Sequence, residues 1–178
     1  MDVFEAIQKR KSVRSYELKP VSKETLEKIL EAARIAPSAG NIQPWHFIVV
    51  TDAEKRKELS KGIFAKWLSG APSIVVACGD TRASPDWYAV DASLALENIV
   101  LAATGEGLGT CCVGSFNDEQ VKKLLRIPEN YSVIALLAVG YAKEKEGLTT
   151  KFFRLASRKR KALTEIASLE EYGQSITK

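Results

Sequence analysis

A single histidine, His46, and three cysteines, Cys78, Cys111 and Cys112, are the only imidazole and thiol groups in this chain of 178 residues. The cysteines form no CxxC pair and have no matching set of histidines, which argues against a structural zinc site. A lone histidine also makes serine-protease-like triads, HExxH sites and His-based metal clusters poor candidates. No metal is expected. His46 lies in Trp45-His46-Phe47-Ile48-Val49-Val50, where strand alternation puts it opposite Trp45 and Phe47. A packed, hydrogen-bonded histidine is expected there rather than a catalytic base. The odd cysteine count, the adjacent pair at 111 and 112 and the acidic Asp2 argue against secretion and a disulfide framework. A reducing, cytoplasmic setting is the expectation.

Long hydrophobic runs are missing as well. The longest covers residues 133–142, far short of the roughly 20 residues of a membrane-spanning helix, so no membrane role is expected. Charge of one sign does not accumulate either: 26 Lys and Arg against 22 Asp and Glu leave a formal charge of +4. That balance suits an anionic small ligand. A nucleic-acid-binding protein would gather basic residues on one element with aromatic or base-reading partners, and only residues 151–161 approach this. No P-loop is present. Gly105-Glu106-Gly107-Leu108-Gly109 superficially resembles a dinucleotide fingerprint, but that motif needs a strand before its glycines and a helix after them. Here the order is reversed, which assigns these glycines to helix-capping and turn duty.

What is present is a composition of 46% hydrophobic residues, enough for one ordinary core, with no shift that separates two halves. One domain spanning residues 1–178 is expected. The pattern predicts a short helix over 3–9, with Val3, Phe4 and Ile7 at helical spacing, then a second helix opened by Pro20 and Ser22. Leu26, Ile29, Leu30 and Ala33 form the second helix's stripe, and Pro37 closes it. Residues 37–44 read as loop, 45–51 as strand, 53–62 as amphipathic helix and 73–78 as strand. The segment 87–106 is apolar almost all round, with Val90, Leu94, Ile99 and Leu101 set among alanines, and such a helix must be covered on every side. A strand over 110–115 follows. Asn117, with Gln120 three residues on, then starts a helix to about 126, acidic in its first turn and basic in its last. Residues 131–141 form a long central strand, and a polar, basic tail follows, with no strong period until 163–172.

With so little acid-base and metal equipment, enzyme activity would rest on an organic cofactor that brings its own reactivity. Three segments suit flavin mononucleotide. Arg10, Lys11 and Arg14 place three cations within five residues and Ser12 adds a hydroxyl; an arginine fork can meet two phosphate oxygens at once. The same residues could instead complement the dipole of the first helix. Residues 37–45, Pro-Ser-Ala-Gly-Asn-Ile-Gln-Pro-Trp, offer hydroxyl, amide and small residues where backbone can approach a flat ring, and equally the residues of an ordinary turn. Arg158, Lys159 and Arg160 form a late basic cluster, either a solvated face, a second clamp on the same phosphate or a weak nucleic-acid patch.

In this order and at these separations the three segments resemble the nitroreductase family of flavoproteins. The Arg-x-Ser-x-Arg segment is similar to the family's phosphate and pyrimidine-edge loop, and Pro-Ser-x-x-Asn-x-Gln-Pro-Trp to its second signature. The buried helix with Glu97-Asn98, followed by Gly107-Leu108-Gly109 and Cys112-Val113-Gly114-Ser115-Phe116, is similar to its central helix and flavin-facing strand end. The resemblance covers nearly the whole chain. It implies an α+β fold with a mostly antiparallel central sheet flanked by helices, and a homodimer holding FMN at its interface.

By that resemblance Arg10, Lys11 and Ser12 would hold phosphate and ribityl groups, and Arg14 would lie at the pyrimidine edge, where a cation stabilises charge developing on reduction. Ser38, Ala39, Gly40 and Asn41 would reach the cofactor from the other subunit. Gly114 and Ser115 would offer backbone N–H groups near the flavin N5, and Arg158 and Arg160 would complete the phosphate clamp. No protein nucleophile is required: the implied chemistry is ping-pong transfer from NADH or NADPH to a nitroaromatic, quinone or similar small aromatic acceptor.

The chain departs from the family pattern in three places. Val113-Gly114-Ser115 stands where many members carry an acidic residue, Lys66 aligns only loosely with a ring-side lysine, and no long insertion covers the flavin. Trp87, Tyr88, Phe152 and Phe153 would form a partial lid, or simply pack in the core. Two other functions are weighed against the leading one: a flavin reductase or dedicated-metabolite flavoenzyme of the same fold, and a nonenzymatic module binding RNA or another polyanion.

Overall fold

Segments rich in valine, isoleucine and alanine pair into one four-stranded sheet: β1 (Trp45–Val50), β2 (Ser73–Asp80), β3 (Gly109–Val113) and β4 (Tyr131–Gly140), in the order β1-β2-β4-β3. Every neighbouring pair is antiparallel. The computed structural model describes residues 1–61, 65–144, 155 and 159–176. The α-helices α1 (Val3–Lys9), α2 (Lys23–Arg34), α3 (Ala53–Leu59), α4 (Tyr88–Gly105) and α5 (Asp118–Leu125) accompany the sheet. This is the α+β, antiparallel architecture that the sequence leads one to expect.

The two inner strands are apolar at nearly every position because both faces of the sheet are covered. On one face Val75, Ala77, Leu137 and Val139 meet Leu26, Ile29 and Ala33 of α2 and Ala95, Ile99 and Ala103 of α4. On the other, Ile74, Val76, Leu136 and Ala138 meet Leu59 of α3, Leu68 and Val121 of α5. Ala77 pairs with Ala135 but Cys78 with Val133, so Ile134 is an extra residue in β4. That bulge reverses the alternation, and Val133 and Ala135 pack into opposite cores although both are odd-numbered.

Helix starts follow local chemistry. Asp2, Ser22, Asp52 and Asn117 each accept a backbone N–H three residues on, at 2.7, 3.2, 2.9 and 2.9 Å respectively, each contributing about 1 kcal/mol. Apolar stripes on two helices end up elsewhere than in the core. Val3, Phe4 and Ile7 of α1 are 72%, 69% and 49% exposed, and only Ala6 of that helix is buried. Helix α4 buries Ala92, Ala95, Leu96, Ile99, Val100 and Ala103, while Val90 and Leu94 remain exposed, as does Trp87 just before it. One copy of the chain therefore covers one side of α4 and leaves the other open. Among the described residues no helix is long and apolar enough to cross a membrane.

His46 corrects an expectation: it is exposed on the edge strand β1, with its ring meeting the Tyr131 ring edge-on at 6.1 Å. Alternation put it on the correct side, but at this sheet edge that side faces solvent. Strand β3 ends at Val113, its last partner being Leu136, so Gly114 and Ser115 lie beyond the ladder. The tail shows a 3-10 turn at Leu163–Glu165 and an isolated bridge between Ser168 and Ser175.

The segment after α1 is sewn along the end of this sheet. Ser12 bridges Thr110 in parallel, and the Val13 N–H donates to the Thr110 carbonyl at 2.8 Å. The buried Tyr16 hydroxyl donates to the Val13 carbonyl at 2.6 Å, and burial pushes its pKa far above the ordinary phenol range. Glu17 N–H donates to Tyr141 at 2.9 Å, and Lys143 N–H to Ser15 at 3.1 Å. The approach needs a residue without a side chain at 109, since a Cβ there would lie 2.6 Å from Val13 Cγ2 and 2.9 Å from its Cβ. Gly109→Ala is therefore expected to lower stability by about 1–3 kcal/mol, read as a shift in the urea midpoint; an unchanged midpoint would show that the close packing of Val13 is dispensable.

Candidate functional site

The sewn segment delivers its cations to the side of β3, pairing at Thr110. Arg10 and Arg14 are half-buried while Lys11 and Ser12 are exposed, so the arginine stems are packed and the lysine is solvated. The Arg14 guanidinium lies over the Trp67 ring, 5.8 Å from its centroid, at the outer limit of a cation–π contact. Cys111 and Cys112 register where the cations sit. Burial raises the Cys111 thiol pKa, while Arg14, a hydrogen bond from Ser12 and Arg10 oppose it. Although Cys112 is exposed as a residue, burial around its thiol, then Cys111 and Glu97, push its pKa up to about 11, against Arg10. Arg10, Ser12, Arg14 and Glu97 of α4 thus gather around β3, near Cys111 and Cys112.

The second predicted segment folds as a tight, strained turn. Ala39–Asn41 is a short 3-10 helix, and Gly40, Asn41 and Gln43 all have φ between 54° and 56°. For a residue other than glycine that region costs about 1–2 kcal/mol, less for asparagine, and such strain persists only where surroundings hold it. The holding bonds are visible. Ser38 Oγ accepts from the Gln43 N–H at 2.9 Å, and the Ser38 carbonyl accepts from the Asn41 N–H at 3.0 Å. Gln43 Nε2 donates to the Asn41 carbonyl at 3.1 Å. From α4, the buried Asp91 carboxylate accepts the Ala39 N–H, with its two oxygens at 3.2 and 3.3 Å. Gly40 and Asn41 are left exposed.

Gly114 and Ser115 stand exposed past the end of β3, with open space where a Gly114 side chain would be. Ser115 also lines a cleft of about 1020 Å³ between α3 and α5, with Leu59, Phe116, Val121, Lys61 and Lys123 among its walls. None of the other residues that the family resemblance assigns to the cofactor lines that cleft. Arg158, Phe152 and Phe153 lie outside the described residues, whereas Arg160 is exposed. No cluster of metal-ligating side chains occurs among the described residues.

The structure thus brings Arg10, Ser12 and Arg14 to the strand that leads into Gly114 and Ser115. It ties the Ser38–Asn41 turn separately to the start of α4. Sequence reasoning missed Tyr16, Trp67 and Asp91, which touch these groups rather than belonging to the motifs. Asp91 alone left a signal, as an acid inside an otherwise apolar helix face.

Fold and site together define an α+β protein that gathers cationic side chains beside β3. Comparison with known proteins narrows this. The sequence pattern of the Nitroreductase family matches residues 7–79 and 60–141. A protein of Archaeoglobus fulgidus, provisionally named an NADH dehydrogenase/NAD(P)H nitroreductase, is 40% identical over 153 residues, covering 82% of this chain and 88% of that one. A solved structure from Parabacteroides distasonis with the same provisional name superposes with a TM-score of 0.83 at 32% identity, covering 96% of this chain and 98% of that one. An FMN-dependent nitroreductase from Clostridium difficile superposes with a TM-score of 0.74 at 35% identity, covering 80% and 89% of the two chains. The chain belongs to the nitroreductase family, a family of oxidoreductases.

The thiols offer a test of the site's charges, because the thiolate is the reactive form. With a pKa of about 11, Cys112 should react with iodoacetamide at pH 8 at least about a hundredfold more slowly than free cysteine. Glu97→Gln removes a cause that raises the pKa and should speed the reaction; Arg10→Ala removes the opposing cation and should slow it. Labelling at the rate of free cysteine, unmoved by either change, would contradict the geometry.

Proposed function

We propose that this chain is an NAD(P)H-dependent FMN oxidoreductase, a single FMN-binding domain over residues 1–178 that works as a homodimer in the cytoplasm and reduces nitroaromatics, quinones or similar small acceptors. The observation that carries the reading is the pair of half-buried arginines, Arg10 and Arg14, fixed by Val13 and Tyr16 against the strand that runs out into Gly114 and Ser115. The donor set fits FMN: cations and a hydroxyl suit a phosphate, while an exposed strand end without large side chains suits the edge of a flat ring. A single histidine, exposed on β1, also suits a protein whose reactivity is borrowed.

When bound, FMN supplies two-electron transfer, accepting hydride from NADH or NADPH and passing the electrons on to the acceptor. The chain's part is to bind and orient. Arg10, Lys11 and Ser12 would hold the phosphate and ribityl groups, joined by Arg158 and Arg160 from the tail. Arg14, steadied by Trp67, would set a positive charge at the pyrimidine edge, where it favours the anionic form of the reduced ring. Gly114 and Ser115 would offer backbone N–H groups near the flavin N5 and O4. Ser38 to Asn41 would reach the cofactor from the second subunit. No residue needs to act as a nucleophile, and acceptor protons can come from water.

The homodimer is supported by the apolar surface that one copy leaves open. Val90 and Leu94 of α4 and Val3, Phe4 and Ile7 of α1 are exposed, and two copies related by symmetry would cover them. The cytoplasm is supported by the three cysteines, all unpaired.

Purified protein is expected to be yellow, with a flavin band that bleaches when NADH or NADPH is added without oxygen. Arg14→Ala should slow that bleaching or weaken FMN binding by about tenfold or more, while Lys61→Ala, on the surface and paired with Glu58 at 2.6 Å, should do neither. Colourless protein that FMN cannot reconstitute would overturn the proposal, and strongly salt-dependent RNA binding in its place would favour a polyanion-binding module.

A further inference from the structure

Asp91 is chemically out of place. Its neighbours on the buried side of α4 are Ala92, Ala95, Leu96, Ile99, Val100 and Ala103, yet this carboxylate is only 2% exposed. Burying a carboxylate where an alanine would pack is costly unless the charge is put to use. Its place in the first turn of α4, where the helix dipole favours a negative group, offsets part of that cost. Among the described residues the rest is answered by one partner, the Ala39 N–H, shared between both oxygens at 3.2 and 3.3 Å across 52 positions of sequence.

That N–H opens the 3-10 turn Ala39–Asn41. Helical turns leave their first N–H groups without internal partners, and the preceding residue usually caps them with its side chain. Ser38 holds the capping position but makes no side-chain cap bond, because its Oγ accepts the Gln43 N–H at the far end of the loop. The local cap is thus spent on closing the loop, and the missing one arrives from α4. Between these two bonds lie Gly40 and Asn41 in left-handed backbone, a conformation that would relax if one end were freed.

We infer that Asp91 is a positioning residue that holds the Ser38–Asn41 loop in its cofactor-binding shape by supplying the cap the turn lacks. The inference rests on the proposal that this loop meets FMN. Asp91 acts through Ala39 and need not touch the cofactor.

The test compares wild type, Asp91→Ala and Asp91→Asn by FMN titration of the flavin-free proteins and by amide hydrogen exchange. Asparagine keeps one acceptor oxygen, which is all a single N–H requires. Asp91→Ala should bind FMN at least about tenfold more weakly, and its Ala39 amide should exchange at least about tenfold faster, with the Val75 and Leu137 amides of the core unchanged. Asp91→Asn should restore most of both. Asp91→Ala that binds FMN as tightly as wild type overturns the inference and leaves the cofactor proposal standing. Equal losses in both variants, with the core amides loosened, also overturn it, since they mark general damage. Wild type that takes up no FMN overturns the cofactor proposal and this inference with it.

Discussion

Everything proposed for this chain depends on how residues 12–17 are pinned across the end of the sheet. Val13 donates to Thr110, Tyr16 reaches back to the Val13 carbonyl, and Glu17 and Lys143 exchange bonds with Tyr141 and Ser15. Gly109 makes room by having no side chain. The arginines at 10 and 14 are long side chains whose ordering costs free energy, and they become useful binding groups only if the backbone between them is already fixed. Because both are half-buried and Arg14 rests on Trp67, much of that cost is met by folding before any ligand arrives.

Helix α4 is the second frame. Its buried face packs on the sheet and on α2, where Asn98 Nδ2 also donates to the Ala32 carbonyl at 3.0 Å. Two contacts leave it at different heights: Asp91 meets the 38–41 turn, and Glu97 lies near the Cys112 thiol. Six residues of helix separate them by about 9 Å along the axis. The turn and the Cys112 end of β3 therefore meet distinct stations on the same helix within one copy. Between and beside these stations Val90 and Leu94 leave an apolar face open, the face that the proposed homodimer would cover.

Much of this was legible in the residues. Sidedness in α2 and α5 and the caps Ser22 and Asn117 depend on neighbours three or four positions away, which a sequence displays directly. The antiparallel sheet and the family followed from the motif order. What stayed hidden depends on distant partners. His46 looked packed because its strand is apolar, but β1 is an edge and the exposed side of an edge strand carries no local mark. The stripe of α1 reads as core, yet Val3 and Phe4 point outward. Tyr16 and Asp91 owe their roles to bonds with Val13 and Ala39, and the second of these spans half a hundred residues that no periodicity links. Arg158 falls outside the described residues, so its place beside Arg10 rests on the proposal alone.

The most direct measurement is a crystal structure of the protein grown with FMN. The account predicts the phosphate within hydrogen-bonding reach of Arg10 and Ser12, the ring edge against Gly114 and Ser115, and the Ser38–Asn41 turn contributed by a second copy. FMN seated instead in the cleft between α3 and α5, with Arg10 and Arg14 turned to solvent, would contradict it.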